Sequence, residues 1–337
     1  MKTPKHILII RLSAMGDIAI AVPVVYAFAK AYTETKITVL TKPFFAPILE
    51  TLPNVTVLTA DVKDTHKGIL GLRKLARSLK NQQIDAVVDL HNVLRSKILT
   101  FFLGLPVARI DKGRAAKKRL IQGKEFKQLK TTSNRYVEVF KDLGFDNIHP
   151  EVIERPEQLK TVAQFVAGNT KRWIGIAPFA AHQGKQYPQA LMKAVLEQLD
   201  TLDRMQLILF GAPTEREQLE ALTQDCKNTS IVAGKRSFSE ELNLIGQLDV
   251  MIAMDSGNAH LAAMYGVPTI TLWGVTHPYA GFAPFGQEAH CMVSDREQYP
   301  AIPTSIYGNK LPPGYEKAIE TIQPNMIVEK VKMLLGS

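Results

Sequence analysis

Short runs of aliphatic and β-branched residues alternate along the chain with segments in which apolar residues recur at helical spacing. Uninterrupted apolar runs of roughly four to eight residues are typical of strands that are buried on both faces of a parallel sheet. The amphipathic segments between them are typical of the helices that connect parallel strands. The pattern therefore predicts an α/β fold built from parallel sheets.

The strands are predicted in two groups, one in each half of the chain. In the first half they are His6–Arg11, Lys36–Thr41, Val55–Leu58, Ile84–Leu90 and Val107–Ile110. In the second half they are Trp173–Ala177, Gln206–Phe210, Ser230–Val232, Asp249–Met254, Pro268–Trp273 and His290–Val293. Each half opens with an apolar strand, a loop that contains glycine and a helix, which is how a Rossmann-like unit begins.

A chain of 337 residues is long enough for two such domains of roughly 150 residues each. The polar, proline-containing segment Pro150–Glu157 is the predicted linker. We expect an N-terminal domain over residues 1–155 and a C-terminal domain over 156–323. The last helix, within 324–337, is expected to pack back on the N-terminal domain. If the two parallel sheets face a central cleft, the loops that directly follow strands hold the ligands.

Composition narrows the class of protein. Hydrophobic residues make up 46% of the chain, which excludes an intrinsically disordered protein. The two cysteines, Cys226 and Cys291, form neither a disulfide framework nor a zinc motif and suit a reducing cytoplasm. The first apolar run ends at Arg11, too early for a secretory signal. We therefore predict a cytoplasmic protein whose contact with a membrane is peripheral.

Positive charge is concentrated in one segment. The formal net charge is +9, and between Lys112 and Arg135 nine basic residues stand against one acidic residue, Glu125. A local excess of this size predicts an anionic partner, although a solvated loop that aids solubility would look the same. Nucleic acid is disfavoured as that partner because Phe126 is the only aromatic residue of the segment that could stack on bases.

The loop after the first predicted strand carries Gly16 and Asp17. Gly16 allows close approach to the backbone, and the N-terminus of the following helix favours anions. Spacing alone favours Asp17 as a carboxylate that complements the helix dipole. Its place at the carboxyl end of the sheet makes it, alternatively, a candidate general base.

Two loops of the second half are candidates for binding phosphate. Lys185 follows Gly184 near the end of a strand and is either a phosphate ligand or a solvated charge. Asp255, Ser256 and Gly257 follow a strand and open a helix. They serve either as helix caps or as a loop whose backbone N–H groups hold a diphosphate without a metal. His260, in that helix, is also explained as a core histidine.

Two further strand ends carry polar candidates. Glu215 could accept hydrogen bonds from ribose hydroxyls or simply favour a helix N-terminus, and Arg95 with His91 could contact an acceptor or only solvent. The chain contains no Gly-x-Gly-x-x-Gly after a strand, no Walker A sequence and no Gly-x-Ser-x-Gly elbow. No cluster has metal-ligand spacing, so we expect neither a dinucleotide cofactor nor a metal.

These blocks together resemble glycosyltransferase family 9, the heptosyltransferase family of lipopolysaccharide assembly. The similarity covers nearly the whole chain and is carried by Ile7–Asp17, Lys185 with Tyr187-Pro188, Phe210–Pro213, Gly234-Lys235, Asp255–Gly274 and Ile319–Val328. Tyr187 stands where the family commonly has Trp, and Lys317-Ala318 replaces a frequent Cys-Met. The passage Pro300–Tyr315 matches no part of the family pattern that we recognise.

The resemblance implies a GT-B fold with the acceptor on the N-terminal domain and the nucleotide-sugar on the C-terminal domain. It implies an inverting, metal-independent transfer of a sugar, with ADP-heptose as the usual donor, to a lipopolysaccharide core or a related glycolipid. Asp17 would be the general base. The implied donor ligands are Lys185, Glu215, Asp255, Ser256, Gly257 and His260. The predicted acceptor contacts are Gly16, Arg95, Lys117, Lys118 and Arg119, the last three from the basic segment at the inner face of the inner membrane.

Two other functions fit parts of the same pattern. A nucleotide-sugar epimerase of the same fold would act on its donor with no acceptor present. A non-enzymatic protein that binds an anionic polymer would use the basic segment and bind no nucleotide-sugar.

Overall fold

The computed structural model describes residues 3–165, 172–202 and 204–336 and divides into two compact units. The first unit comprises residues 1–112 and 131–153, and the second comprises 113–130 and 154–337. No helix among the described residues is both long and apolar enough to cross a lipid bilayer.

The first unit is a parallel sheet with helices in its crossover connections. Its strands are β1 (His6–Ile10), β2 (Lys36–Thr41), β3 (Val55–Thr59), β4 (Ala86–Asp89) and β5 (Val107–Arg109). Its first helices are α1 (Met15–Ala31), α2 (Gly68–Lys80) and α3 (Leu94–Leu103). The strand order is β3-β2-β1-β4-β5, so the direction of winding reverses between β1 and β4.

Two helices follow β5, and the sequence pattern predicted neither. They are α4 (Arg114–Ile121) and α5 (Thr132–Lys141), and only α5 belongs to the first unit. There it packs against α1 through Phe28 and Phe140, whose ring centroids are 4.8 Å apart. Residues 113–130, which contain α4 and most of the basic segment, belong to the second unit instead, and there Leu120 and Leu129 pack with Ala280.

Besides α4, the second unit contains the short helix α6 (Lys160–Phe165) and six parallel strands. They are β6 (Arg172–Ala177), β7 (Met205–Leu209), β8 (Thr229–Ile231), β9 (Val250–Met254), β10 (Thr269–Trp273) and β11 (Cys291–Val293). Its other helices are α7 (Gln189–Asp200), α8 (Arg216–Thr223), α9 (Phe238–Gly246), α10 (Gly257–Met264) and α11 (Pro324–Leu335). The strand order β11-β10-β9-β6-β7-β8 places its reversal between β6 and β9.

The last helix does not pack where we expected it. Ile327, Val328 and Val331 of α11 belong to the same buried cluster as Leu196 and Leu199 of α7, within the second unit. The expectation that this helix packs on the N-terminal domain is therefore wrong. Its apolar face is buried against α7 and the second sheet, because both are apolar at the matching positions.

Candidate active site

Each sheet has one topological switch point, the place where neighbouring strands are followed by loops that diverge to opposite sides. Ligands of open parallel sheets bind at such points, outside the carboxyl ends of the strands. In the first unit the loops are those after β1 and β4, and in the second unit those after β6 and β9. Asp17 follows the first of these loops, while Lys185 and Asp255 lie in the other pair.

In the first unit the switch point holds an ion pair between Arg11 and Asp17. The buried Arg11 guanidinium also donates to the carbonyl of Leu90, in the loop after β4, at 2.5 Å. The Asp17 side chain is 27% exposed and Arg11 only 8%. Asp17 Oδ2 accepts the backbone N–H of Ala14 at 3.3 Å, whereas Oδ1 accepts no hydrogen bond from the residues that the structure describes. A fixed carboxylate with one open oxygen can accept a proton.

His91 lies beside this pair and is neutral at pH 7. The backbone N–H of Leu12 donates to His91 Nδ1 at 3.3 Å, so the ring proton is on Nε2, which faces Ser13 Oγ at 3.4 Å. Burial, with Arg11 nearby, lowers the pKa of His91 to about 4. The imidazole therefore supplies a fixed polar contact and no charge.

The loop that carries His91 is held by Asp89, the last residue of β4. Asp89 Oδ1 accepts the backbone N–H groups of His91 and Asn92 at 3.0 and 2.8 Å, and Oδ2 accepts the Ser96 hydroxyl at 2.9 Å. Arg109 Nε also lies 3.9 Å from Oδ2, and Asp89 is fully buried, so this carboxylate is not open to a ligand. Arg95, a predicted acceptor contact, follows this loop in the first turn of α3 and is exposed.

Helix α5 contributes a residue that sequence reasoning missed. The Tyr136 hydroxyl donates to the carbonyl of Asp17 at 3.3 Å, and the Arg11 guanidinium carbon lies 5.9 Å from the centre of its ring. The side chain is fully buried, and burial raises the pKa of the phenol. Tyr136 thus holds the first turn of α1, which contains Gly16 and Asp17, through this hydrogen bond.

In the second unit the switch point holds the opposite arrangement, with the carboxylate innermost. Lys185 Nζ lies 2.7 Å from Asp255 Oδ2 and donates to the carbonyl of Asp255 at 3.2 Å. Thr276, which the sequence did not single out, donates its hydroxyl to the same Oδ2 at 2.9 Å. Because an ammonium group has three N–H donors, one donor of Lys185 is left for a ligand.

The passage Pro300–Tyr315, which we did not recognise in the sequence, contains a glycine that packs against the Lys185 side chain. Gly308 has φ +75°, and a Cβ at this position would lie 2.5 Å from Lys185 Cγ. Its N–H donates to Ser305 Oγ at 2.9 Å. The aliphatic stem of Lys185 is thereby held against the backbone of this loop, and glycine is required for the close approach.

Helix α10 begins directly after Asp255 and offers hydrogen-bond donors. Ser256 is its N-cap residue, and Ser256 Oγ is buried without a hydrogen-bond partner among the described residues. Gly257 is the first helical residue, and the N–H groups of a first turn have no intrahelical acceptors. His260 is buried in the same helix. Lys185, Asp255, Ser256 and Gly257 thus come together as a set that can bind an anion.

The structure places the other predicted ligands elsewhere. Glu215 follows β7, not β6 or β9, and its Oε2 accepts the backbone N–H of Ala212 at 2.6 Å. Lys117 is buried, with Nζ 3.9 Å from the centre of the Phe282 ring. Lys118 and Arg119 are exposed on α4, and Arg119 pairs with Glu125 at 3.0 Å. These three basic residues belong to the second unit, although we predicted them as part of the N-terminal, acceptor-binding domain.

Within the described part of the chain, no group of three or more His, Cys, Asp or Glu residues could together hold a metal ion. The groups left open to a ligand differ between the switch points: a carboxylate oxygen of Asp17 in the first unit, and the Lys185 ammonium, the Ser256 hydroxyl and backbone N–H groups, which suit an anion, in the second.

Comparison with known proteins gives a consistent result. The family model described as glycosyltransferase family 9 (heptosyltransferase) matches residues 72–308. The lipopolysaccharide core heptosyltransferase OpsX of Haemophilus influenzae is 27% identical over 291 residues, which is 82% of this chain and 81% of OpsX.

Solved structures share the whole architecture. A family 9 glycosyltransferase from Veillonella parvula superposes with a TM-score of 0.78 at 20% identity, covering 99% of this chain and 98% of that one. The ADP-heptose lipopolysaccharide heptosyltransferase II of E. coli superposes with a TM-score of 0.73 at 18% identity, covering 98% of both chains. These likenesses confirm the predicted GT-B fold.

Proposed function

Since the chain belongs to glycosyltransferase family 9 and is therefore a glycosyltransferase, we propose that it transfers heptose from ADP-heptose to a lipopolysaccharide core or a related anionic glycolipid. The names of OpsX and of the E. coli enzyme specify a lipopolysaccharide core and ADP-heptose, respectively. The observation that carries the proposal is the pair of switch points: one exposes a carboxylate and the other an ammonium group beside a helix N-terminus.

On the acceptor side, Asp17 is proposed as the general base. Its open Oδ1 would take the proton of the acceptor hydroxyl as that oxygen attacks the anomeric carbon of the donor. Arg11 orients the carboxylate through the ion pair at Oδ2. A well-placed general base contributes roughly 10²–10⁴ in rate. Because the acceptor itself is the nucleophile, the displacement occurs in one step and inverts the anomeric configuration.

On the donor side, Lys185 and the start of α10 are proposed to hold the diphosphate. The free N–H of Lys185, the hydroxyl of Ser256 and the first backbone N–H groups of α10 are donors of the right kind. As the anomeric bond breaks, negative charge grows on the departing ADP, and these donors stabilise it. No cofactor and no metal are needed for this role.

The remaining predicted ligands keep subsidiary roles in the proposal. Glu215 has Oε1 left for a ribose hydroxyl, and His260 and Gly257 lie on the diphosphate side. Gly16 precedes Asp17 in the first turn of α1, and Arg95 lies in the first turn of α3, after the loop that carries His91; both are proposed acceptor contacts. Of the three basic residues on α4, exposed Lys118 and Arg119 are better placed to meet an acidic acceptor than buried Lys117. The acceptor would be met at the cytoplasmic face of the inner membrane.

Calorimetric titration with ADP, GDP and UDP in EDTA tests the donor half of the proposal. We expect micromolar binding of ADP alone and weaker binding by Lys185→Ala and Asp255→Ala. A preference for GDP or UDP would contradict ADP-heptose as the donor, and binding of no nucleotide would contradict the donor site altogether.

Product analysis tests the transfer half. With ADP-heptose and a heptose-free core acceptor, we expect release of ADP only when the acceptor is present. Epimerised donor in the absence of acceptor would identify an epimerase instead. One solved structure titled as a putative UDP-N-acetylglucosamine 2-epimerase, from Listeria monocytogenes, shares the fold at a TM-score of 0.54, so the control is needed.

A further inference from the structure

Helices α2 and α3 of the first unit share an exposed surface that combines apolar and basic side chains. The two helices pack side by side on one face of the sheet, where Leu75 and Leu79 of α2 share a buried cluster with Leu99 and Leu103 of α3. Their outward positions hold four large apolar side chains that are 61–80% exposed, namely Ile69, Leu70, Leu94 and Phe101. Large apolar side chains grouped in this way mark an interaction surface.

The charge of this surface has one sign. The two helices contain six basic residues and no acidic residue, and all six are exposed: Arg73, Lys74, Arg77, Lys80, Arg95 and Lys97. Within residues 3–165, 172–202 and 204–336, none of the six forms an ion pair. These six and the four exposed apolar residues are called the α2–α3 surface below.

Apolar and basic residues share the outward face of each helix at helical spacing. On α2, Leu70 lies in line with Arg73, Lys74 and Arg77, and on α3, Leu94, Lys97 and Phe101 follow one another at one-turn intervals. Lys97 and Phe101 also line an open groove of about 830 Å³. Apolar side chains flanked by cations are typical of helices that lie on an anionic membrane surface.

We propose that the α2–α3 surface docks the enzyme on an anionic lipid bilayer. Apolar side chains enter the boundary between headgroups and acyl chains, and each basic residue near the surface is attracted by the lipid charge. The inference rests on the proposed function in one respect: an enzyme whose acceptor is a glycolipid in a membrane must reach the membrane surface.

The basic segment over residues 112–135 is less suited to this role than its sequence predicts. Lys117 is buried against Phe282, and Arg119 and Lys127 both pair with Glu125. Its exposed aromatic residue, Phe126, is 38% exposed and is covered by the Arg296 guanidinium, which lies 3.4 Å from the centre of the ring. The segment therefore presents fewer unpaired charges and no comparable apolar group.

Vesicle flotation of the full chain tests docking without donor or acceptor. The vesicles are phosphatidylcholine with and without phosphatidylglycerol. The charge variant is Arg73→Ser/Lys74→Ser/Arg77→Ser, and its matched control is Arg114→Ser/Lys118→Ser/Lys124→Ser, which removes the same charge from exposed positions of the basic segment. The apolar variant is Leu70→Ser/Phe101→Ser, and thermal melting verifies that all variants fold.

We expect the native chain to bind only the vesicles that contain phosphatidylglycerol. The charge variant should bind them about 100-fold more weakly, at about 1 kcal/mol for each of three charges. The apolar variant should lose at least about tenfold. The control should change less than about threefold, since the proposal assigns docking to α2 and α3 and not to the basic segment.

Three outcomes would overturn the proposal. They are failure of the native chain to bind anionic vesicles, equal binding to neutral vesicles, and a control variant that loses as much as the charge variant. If the native chain did not bind anionic vesicles, the α2–α3 surface would be assigned to a protein partner instead. Transfer to a soluble, acyl-free acceptor should be unchanged in the charge and apolar variants, so loss of docking and failure of the transferase activity are separately visible.

Discussion

The ion pairs Arg11–Asp17 and Lys185–Asp255 occupy equivalent places in the two sheets but are buried in opposite senses. In the first unit the arginine is 8% exposed and the carboxylate 27%, whereas in the second unit the carboxylate is 7% exposed and the ammonium 14%. Each switch point therefore presents to ligands the ion that lies nearer the surface. The first unit offers an anion backed by a cation, and the second offers a cation backed by an anion.

The supports of the two inner ions differ accordingly. Arg11 is held by the carbonyl of Leu90, an acceptor suited to a cation. Asp255 is held by the hydroxyl of Thr276, a donor suited to an anion. In the proposed function, one topology thus yields a site for a proton acceptor and a site for a diphosphate, because the identity of the inner residue decides which ion is left outside.

The largest effect on activity is expected from replacing Asp17, the more exposed ion of the pair in the first unit. Asp17→Asn keeps an oxygen for Arg11 and for the N–H of Ala14 but removes the proposed base, so kcat for the proposed heptose transfer should fall roughly 10²–10⁴-fold. The Kd for ADP should stay within about twofold, because the second unit is untouched. Steady-state kinetics and calorimetry on the same preparation measure both. A variant that retains a tenth of the native kcat would show that Asp17 is not the base.

Replacing Lys185, the more exposed ion of the pair in the second unit, should weaken nucleotide binding and lower the stability of the fold. Lys185→Met removes a proposed diphosphate ligand and should lower kcat roughly 10²–10³-fold and weaken ADP binding. It also leaves the Asp255 carboxylate buried without its cation, which should lower the free energy of unfolding by about 3–5 kcal/mol. Calorimetry with ADP and denaturant unfolding measure the two effects.

The double variant Lys185→Met/Asp255→Asn separates those effects. With no buried charge left, most of the lost stability should return, while ADP binding stays weak. If binding returned together with stability, Lys185 would be a structural residue and not a ligand of the nucleotide.

The sheets were predictable from sequence because buried parallel strands leave a strong local signal. Every predicted strand exists, with ends displaced by at most two residues. Helix α5 was missed because Arg135 and Lys141 interrupt the apolar pattern of its sequence. In the structure, Tyr136 and Phe140 lie on its buried face. The Thr131 hydroxyl that accepts the N–H of Asn134 is an N-cap that its sequence could have signalled.

The partners within each site were not predictable in the same way. Lys185 and Asp255 are 70 residues apart, and they meet because β6 and β9 are neighbours in the sheet. Strand order is a property of the whole fold, so local spacing carries no information about it. The loop around Gly308 lacks periodicity altogether, and its contact with the Lys185 stem is decided by a glycine with positive φ.

The smallest effect is expected from His91, which contacts the loop of the first ion pair without being charged. Its pKa is about 4 in the folded chain and about 6.5 when unfolded. As the pH falls through 6.5 the unfolded chain takes up the proton first, so stability is lost between pH 6.5 and 4 and is fully present above that range. At pH 5 the loss from this residue should be about 2 kcal/mol.

His91→Gln isolates this contribution, since glutamine can still accept from Leu12 and donate to Ser13. The difference in unfolding free energy between the native chain and the variant should change by about 2 kcal/mol between pH 7.5 and 5. Other histidines with lowered pKa, such as buried His277, contribute equally to both chains and cancel. Parallel pH profiles would mean that the imidazole can take up its proton beside Arg11. Arg11 and the surrounding burial would then not keep His91 uncharged. The first switch point could then hold a second positive charge, and its difference from the second switch point would be smaller.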